Sequence, residues 1–268
     1  MPPLHDRSTI SRRGFLELAG LGAAGAFTAA CGSGTVKDAH ALSATGRLTA
    51  RPGTPTGSIT AGEQPLALAT DGRDGLLYVP AGYSASAPAP LVLMLHGAGG
   101  SARGALRPFR ELADQAGIVL LAPESRGPTW DAIRSNYGVD IAFIDRALAS
   151  VFRRVAIDPR RLTIEGFSDG ATYAIGVGLT NGDLFQRVVA FSPGFVLPIE
   201  AHAKPQLFIS HGTKDQVLPI DQCSRRIVPQ LERARYTVTY REFDGPHAVP
   251  PDIAKTAIAW MAGAQPGG

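Results

Sequence analysis

A chain of 268 residues with 44% hydrophobic side chains can bury one substantial core. Its formal net charge of +3 includes Arg7, Arg12 and Arg13, and no later block or helical stripe of Lys and Arg argues for a nucleic-acid partner. The two cysteines, Cys31 and Cys223, lie nearly a chain length apart without CxxC or Cys/His spacing, so neither a disulfide framework nor a structural metal is expected.

The amino terminus reads as an address. Ser11-Arg12-Arg13-Gly14-Phe15-Leu16 sets a twin arginine before an apolar Gly/Ala-rich run, Leu18 to Ala30, that is short for a membrane span. Thr28-Ala29-Ala30-Cys31 resembles a lipobox with Thr28 where Leu is usual. The expectation is an export signal over 1–30 and lipidation at Cys31, with cleavage after the small residues without lipidation as the alternative. Any membrane contact is then through Cys31 alone. From Gly32 to about Gly62 the chain is rich in Gly, Ser, Thr, Ala and Pro without periodicity, which predicts a flexible tether over 31–62. Such a segment reaches roughly 30 Å.

A folded domain is expected over 63–268. Leu66-Ala67-Leu68 and Leu76-Leu77-Tyr78-Val79 flank the turn-prone Asp71-Gly72-Arg73-Asp74-Gly75, a hairpin signal. Leu91 to Leu95 is a continuous apolar run, as suits a strand covered on both faces of a parallel sheet. A helical stretch from Ala102 to Ala116 follows, then strand 118–121, helix 139–155, strand 162–164 and helix 171–179. Strands 188–191 and 206–209, helix 221–235, strand 237–243 and helix 251–261 complete the chain. This alternation predicts an α/β fold: a mostly parallel sheet with helices on both faces.

Gly166-Phe167-Ser168-Asp169-Gly170 stands between the strand 162–164 and the helix from Ala171. This is the context of a nucleophile elbow, where glycines relieve a strained turn that presents Ser168 at a helix N-terminus. A serine needs a base, and of six histidines only His247 lies between the last strand and the last helix, giving the order serine, acid, histidine. His96 and His211, each followed by Gly at a strand end, suit backbone shaping at least as well as chemistry. Asp215, after the preceding strand, is the expected acid. Asp244 competes from three residues before His247, and Asp221 suits a helix cap. The turn His96-Gly97-Ala98-Gly99-Gly100 can aim backbone N–H groups inward, so the amides of Ala98 and Asp169 are the expected oxyanion donors.

Together these motifs resemble the phospholipase/carboxylesterase and polyhydroxybutyrate-depolymerase-like branch of the α/β-hydrolases. The resemblance rests on Leu93-Met94-Leu95-His96-Gly97-Ala98-Gly99-Gly100, Gly166-Phe167-Ser168-Asp169-Gly170-Ala171, Ser210-His211-Gly212-Thr213-Lys214-Asp215 with Val217-Leu218-Pro219, and Gly245-Pro246-His247. It implies a serine esterase working without a cofactor through Ser168, Asp215 and His247. The short connection between Phe191 and Gln206 leaves no room for a large lid, so short or accessible esters, small or polymeric, are the expected substrates. Ser125, Arg126 and Trp130 are candidates for the cleft edge, Trp130 as a substrate-binding residue, with packing as its alternative. A peptidase or acyltransferase with the same triad, and a lipid-anchored binding protein on an inactive scaffold, are the competing readings.

Overall fold

The computed structural model describes residues 44–70 and 72–263. The expected export signal, Cys31 and the first part of the expected tether lie outside the described residues.

Eight strands form one sheet in the order β1-β2-β4-β3-β5-β6-β7-β8. They are β1 (Gly62–Pro65), β2 (Gly75–Val79), β3 (Ala89–Leu95), β4 (Val119–Pro123), β5 (Ile157–Phe167), β6 (Arg187–Phe191), β7 (Gln206–Gly212) and β8 (Val238–Phe243). The pairs β1–β2 and β2–β4 are antiparallel, and every other pairing is parallel. The longer helices are α1 (Ala102–Leu106), α2 (Arg110–Ala116), α4 (Val139–Arg154), α5 (Asp169–Thr180), α6 (Ser224–Arg233) and α7 (Pro251–Met261), with the single turn α3 (Asp131–Arg134) before α4. This is the α/β-hydrolase fold, as the sequence predicts.

The apolar run in β3 is continuous because both faces are covered. Leu91, Leu93 and Leu95 pack with residues of α4, α5 and α6, whereas Val92 and Met94 pack with residues of α1, α2 and α7. Full burial of each such side chain contributes on the order of 1.5–3 kcal/mol.

Four expectations are corrected. The helix over Ala102–Ala116 is two helices broken around Pro108, which lacks an N–H and clashes with a preceding carbonyl. The first hairpin strand lies at Gly62–Pro65 rather than at Leu66–Leu68, because the Asp74 carboxylate takes the N–H groups of Ala67, Leu68 and Ala69 and holds them as a loop. Helix α6 starts at Ser224, and Asp221 pairs with Arg225 instead of capping it.

The fourth concerns the tether. Its described part is a strap laid on α4 and α5: Leu48 is buried, and its N–H donates to Asn181 Oδ1 at 2.8 Å. Asp145 accepts the N–H groups of Thr49 and Ala50, and Arg47 and Arg51 both pair with Asp183. The composition lacks large apolar residues, but these long-range polar partners supply the anchoring. The Arg47 hydrogen bond, reinforced by Arg51, holds the Asp183 carboxyl down at about 2. The connection 192–205 contains no helix or strand, in keeping with the expected lack of a large lid.

Candidate active site

The carboxyl ends of β3, β5, β7 and β8 carry the loops that bring the predicted residues together. At the end of β5 the chain turns through Ser168 with φ 57° and ψ −121°, a left-handed conformation costly for a residue with a Cβ. The turn fits because its flanks are glycine. A Cβ on Gly166 would stand 2.1 Å from the Gly170 carbonyl oxygen, and one on Gly170 2.1 Å from that of Leu95. Ser168 N–H donates to Phe191 O at 2.9 Å, tying the elbow to β6.

Ser168 Oγ–H donates to His247 Nε2 at 2.8 Å, and His247 Nδ1–H donates to Asp215 Oδ2 at 2.5 Å. The Asp215 side chain is fully buried. Burial opposes its ionisation, but the Leu218 and Val217 N–H groups on Oδ1 and the His247 contact outweigh it, and the carboxyl sits below the usual range. The two competing acids point elsewhere: Asp244 pairs with Lys214 at the surface, and Asp221 with Arg225. Phe167 packs on the His247 ring with 4.7 Å between centroids.

The turn after β3 lies against the elbow, so close that a Cβ on Gly97 would be 3.3 Å from Ser168 Cβ. Gly99 N–H donates to Pro128 O and Gly100 N–H to Gly97 O, whereas the Ala98 and Asp169 amides have no hydrogen-bond partner among the described residues. Asp169 opens α5, where the first amides of a helix lack intrahelical acceptors and the helix dipole favours negative charge. The Asp169 side chain accepts from Thr129 Oγ1 at 2.6 Å. A cavity of about 360 Å³ opens beside His247, walled by the turn from Leu95 to Ser101, by α1, and by Phe167 and Val249.

Trp130 is corrected from cleft wall to buried support. It is fully buried, its indole N–H donates to His96 O at 2.8 Å, and its ring lies between His96 and Tyr173. The reason is local: Asp131 and Asp140 cap each other's backbone, Asp140 also accepts Arg126 N–H, and this folds the 125–140 loop inward. Ser125 is buried too, its N–H donating to His96 Nε2, while the Arg126 guanidinium covers the Phe143 ring.

His96 uses both ring nitrogens, Nδ1 donating to Gly97 O, and burial pushes its pKa down, so it braces the turn as a neutral ring. His211 is also buried and neutral, its pKa lowered by desolvation. Its Nδ1 accepts from Ser224 Oγ, and its Nε2–H is shared between Leu218 O at 2.8 Å and Asp215 Oδ2 at 3.2 Å. Sequence reasoning gave His211 no such role. The His-Gly step at the end of β7 marks its position but not its partners.

Fold and site together define an α/β-hydrolase. Residues 118–252 match the phospholipase/carboxylesterase family, and the chain belongs to it. Among curated proteins, it is 28% identical over 159 residues to a probable feruloyl esterase C of Aspergillus terreus and 27% identical over 159 residues to feruloyl esterase C of Emericella nidulans. Each match takes in 56% of this chain and 58% of the relative, so the chain spans less than two thirds of their length. Among solved structures, the fold is similar to esterase PE8, with TM-score 0.58 and 22% identity over 70% of this chain and 96% of that one. It is also similar to a ferulic acid esterase from Anaeromyces mucronatus, with TM-score 0.57 and 19% identity over 76% of this chain and 90% of that one.

Proposed function

We propose that the protein hydrolyses carboxylic esters in two steps through an acyl-Ser168 intermediate. The observation that carries this reading is the continuous relay from Asp215 through His247 to Ser168, ending beside two amides that have no partner among the described residues. In the first step Ser168 Oγ attacks the ester carbonyl as its proton passes to His247 Nε2. The oxyanion is met by the Ala98 and Asp169 N–H groups, and the alcohol leaves with the proton from Nε2. Water then attacks the acyl carbon, gives a proton to His247, and the carboxylic acid departs as Oγ regains that proton. Asp215 holds the imidazole tautomer and stabilises the imidazolium without taking the proton.

The absence of a helical lid over the 192–205 connection suits short or accessible esters. The names of the curated relatives make feruloyl esters the first to test. Replacing Ser168 by Ala is expected to lower p-nitrophenyl ester turnover by about 10⁴-fold or more in folded protein. Retained activity contradicts the proposal. A parallel amide and acyl-acceptor panel separates an esterase from a peptidase or acyltransferase.

We also propose export directed by Arg12 and Arg13, with Cys31 as the lipidated first residue of the mature chain; the support is the motif itself. Fractionation and mass analysis test it. Mature protein that keeps Arg12 and Arg13 and stays in the cytoplasm contradicts export, and an unmodified Cys31 in exported protein contradicts the anchor.

A further inference from the structure

Glu165 lies two residues before the nucleophile's strand ends, in the centre of the sheet, with Met94 of β3 and Val189 of β6 as its register partners. It is only 3% exposed, and it borders the cavity beside His247. No hydrogen bond, ion pair or ring contact joins its carboxyl to any described residue, and burial is the sole influence on its ionisation, pushing its pKa well above the ordinary value. Burial therefore favours the neutral carboxylic acid, the form able both to donate and to accept.

Among the described residues, no hydrogen bond or ion pair accounts for such a group. An unpartnered polar side chain among Met94, Val189 and Phe109 costs stability that an apolar residue of the same size would not. It does not serve the triad either, since His247 Nδ1 is bonded to Asp215. Of the other polar side chains on the cavity wall, the two histidines are fully engaged and Ser101 partly so. His96 uses both nitrogens, His247 bridges Asp215 and Ser168, and Ser101 Oγ accepts Gly104 N–H. The rest of the wall is apolar, with Ala105, Pro108, Phe109, Phe167 and Val249 on it. An apolar slot whose wall carries a buried carboxyl with no partner among the described residues has the usual form of a specificity pocket.

We propose that Glu165 is a specificity-determining residue that selects esters carrying a neutral hydroxyl group on the portion that fills the cavity beside His247. Bound there, the hydroxyl exchanges hydrogen bonds with the acid, whereas an isosteric methyl group leaves the acid buried and unpaired. A site built in this way discriminates by rejecting the analogue that lacks the polar group. The proposal rests on the esterase reading, so its test includes a measurement that needs no turnover.

Two ester series, methyl 3-arylpropanoates for the acyl side and arylmethyl acetates for the alcohol side, each carry a para hydroxyl, methyl or aminomethyl group. In wild-type protein the hydroxyl member of at least one series is expected to exceed its methyl partner in kcat/KM by about 10-fold or more. Glu165→Leu brings that ratio to about 1, and Glu165→Gln, which still donates and accepts, keeps most of it. A merely structural role lowers both members together and leaves the ratio unchanged, which overturns the proposal. So do a wild-type ratio near 1 in both series and a preference for the aminomethyl member, which marks an ionised carboxylate. Calorimetric binding of the same pairs to Ser168→Ala protein reads the preference without catalysis. If no ester is turned over but the hydroxyl preference in binding persists and depends on Glu165, the esterase reading fails and the pocket assignment stands. Circular dichroism of Glu165→Leu and Glu165→Gln confirms folding, and Glu165→Gln preserves shape should Glu165→Leu unfold.

Discussion

The elbow Gly166–Gly170 and the strap Gly46–Arg51 are both assembled largely from small and polar residues, yet they are fixed by opposite means. The elbow is held by sterics over a few residues: a left-handed Ser168 flanked by glycines whose replacement would collide with backbone. The strap is held by side chains far along the chain, Asp145, Asn181 and Asp183, which collect its backbone and arginine groups. A locally determined turn leaves its signature in residue spacing. A segment anchored at a distance does not, and its composition resembles that of a free linker.

Substitutions on each side sharpen this contrast. The largest effect is expected at the elbow, where Gly170→Val drives side-chain carbons into the Leu95 carbonyl, 2.1 Å from the first added atom. Loss of the folded state, or of about 10³-fold in kcat/KM, is expected, and circular dichroism with ester kinetics separates the two. Next comes Asp145→Ala in the strap, which removes the acceptor of two backbone N–H groups and of Thr49 Oγ1. A stability loss of about 1–3 kcal/mol is expected, a Tm drop of roughly 2–10 °C, with kcat/KM unchanged. An activity loss equal to that of the elbow variant would erase the distinction between the two regions.

Trp130→Phe keeps the packed ring but leaves the buried His96 carbonyl without its indole donor. The turn bearing Ala98 loosens, and kcat is expected to fall by about 10-fold with KM little changed. The smallest effect is at Asp183, which is partly solvated, so Asp183→Asn costs no more than about 1 kcal/mol near neutral pH. The sign follows from its depressed pKa: the stabilisation is present above 3.8 and is lost as pH falls through about 2. Melting curves of wild type and Asp183→Asn should therefore converge over that window, and a gap that persists below it contradicts the assignment.

Much of the fold was legible because strands buried on both faces read as unbroken apolar runs, as in Leu91–Leu95 and Val188–Phe191. The edges were less so. β5 runs over Ile157–Phe167, and Pro159, Arg160 and Arg161 masked its first half behind turn-like composition. The motif order singled out Ser168, Asp215 and His247, and the exposed pairing of Asp244 with Lys214 removes the nearest competitor. Trp130 was illegible in detail because an aromatic residue in a loop reads alike whether it lines a cleft or supports it. His211 and Glu165 escaped for a related reason. What matters in each is what surrounds the side chain, and those neighbours come from other strands and loops.

The central claim, that Ser168 is a nucleophile activated by His247, is tested most directly by intact-mass analysis after treatment with a fluorophosphonate. The account predicts one adduct per chain, mapped to Ser168, which disappears in Ser168→Ala and forms far more slowly in His247→Ala. An unlabelled but folded wild-type protein, or an adduct at another residue, would contradict it and favour a binding protein on a hydrolase scaffold.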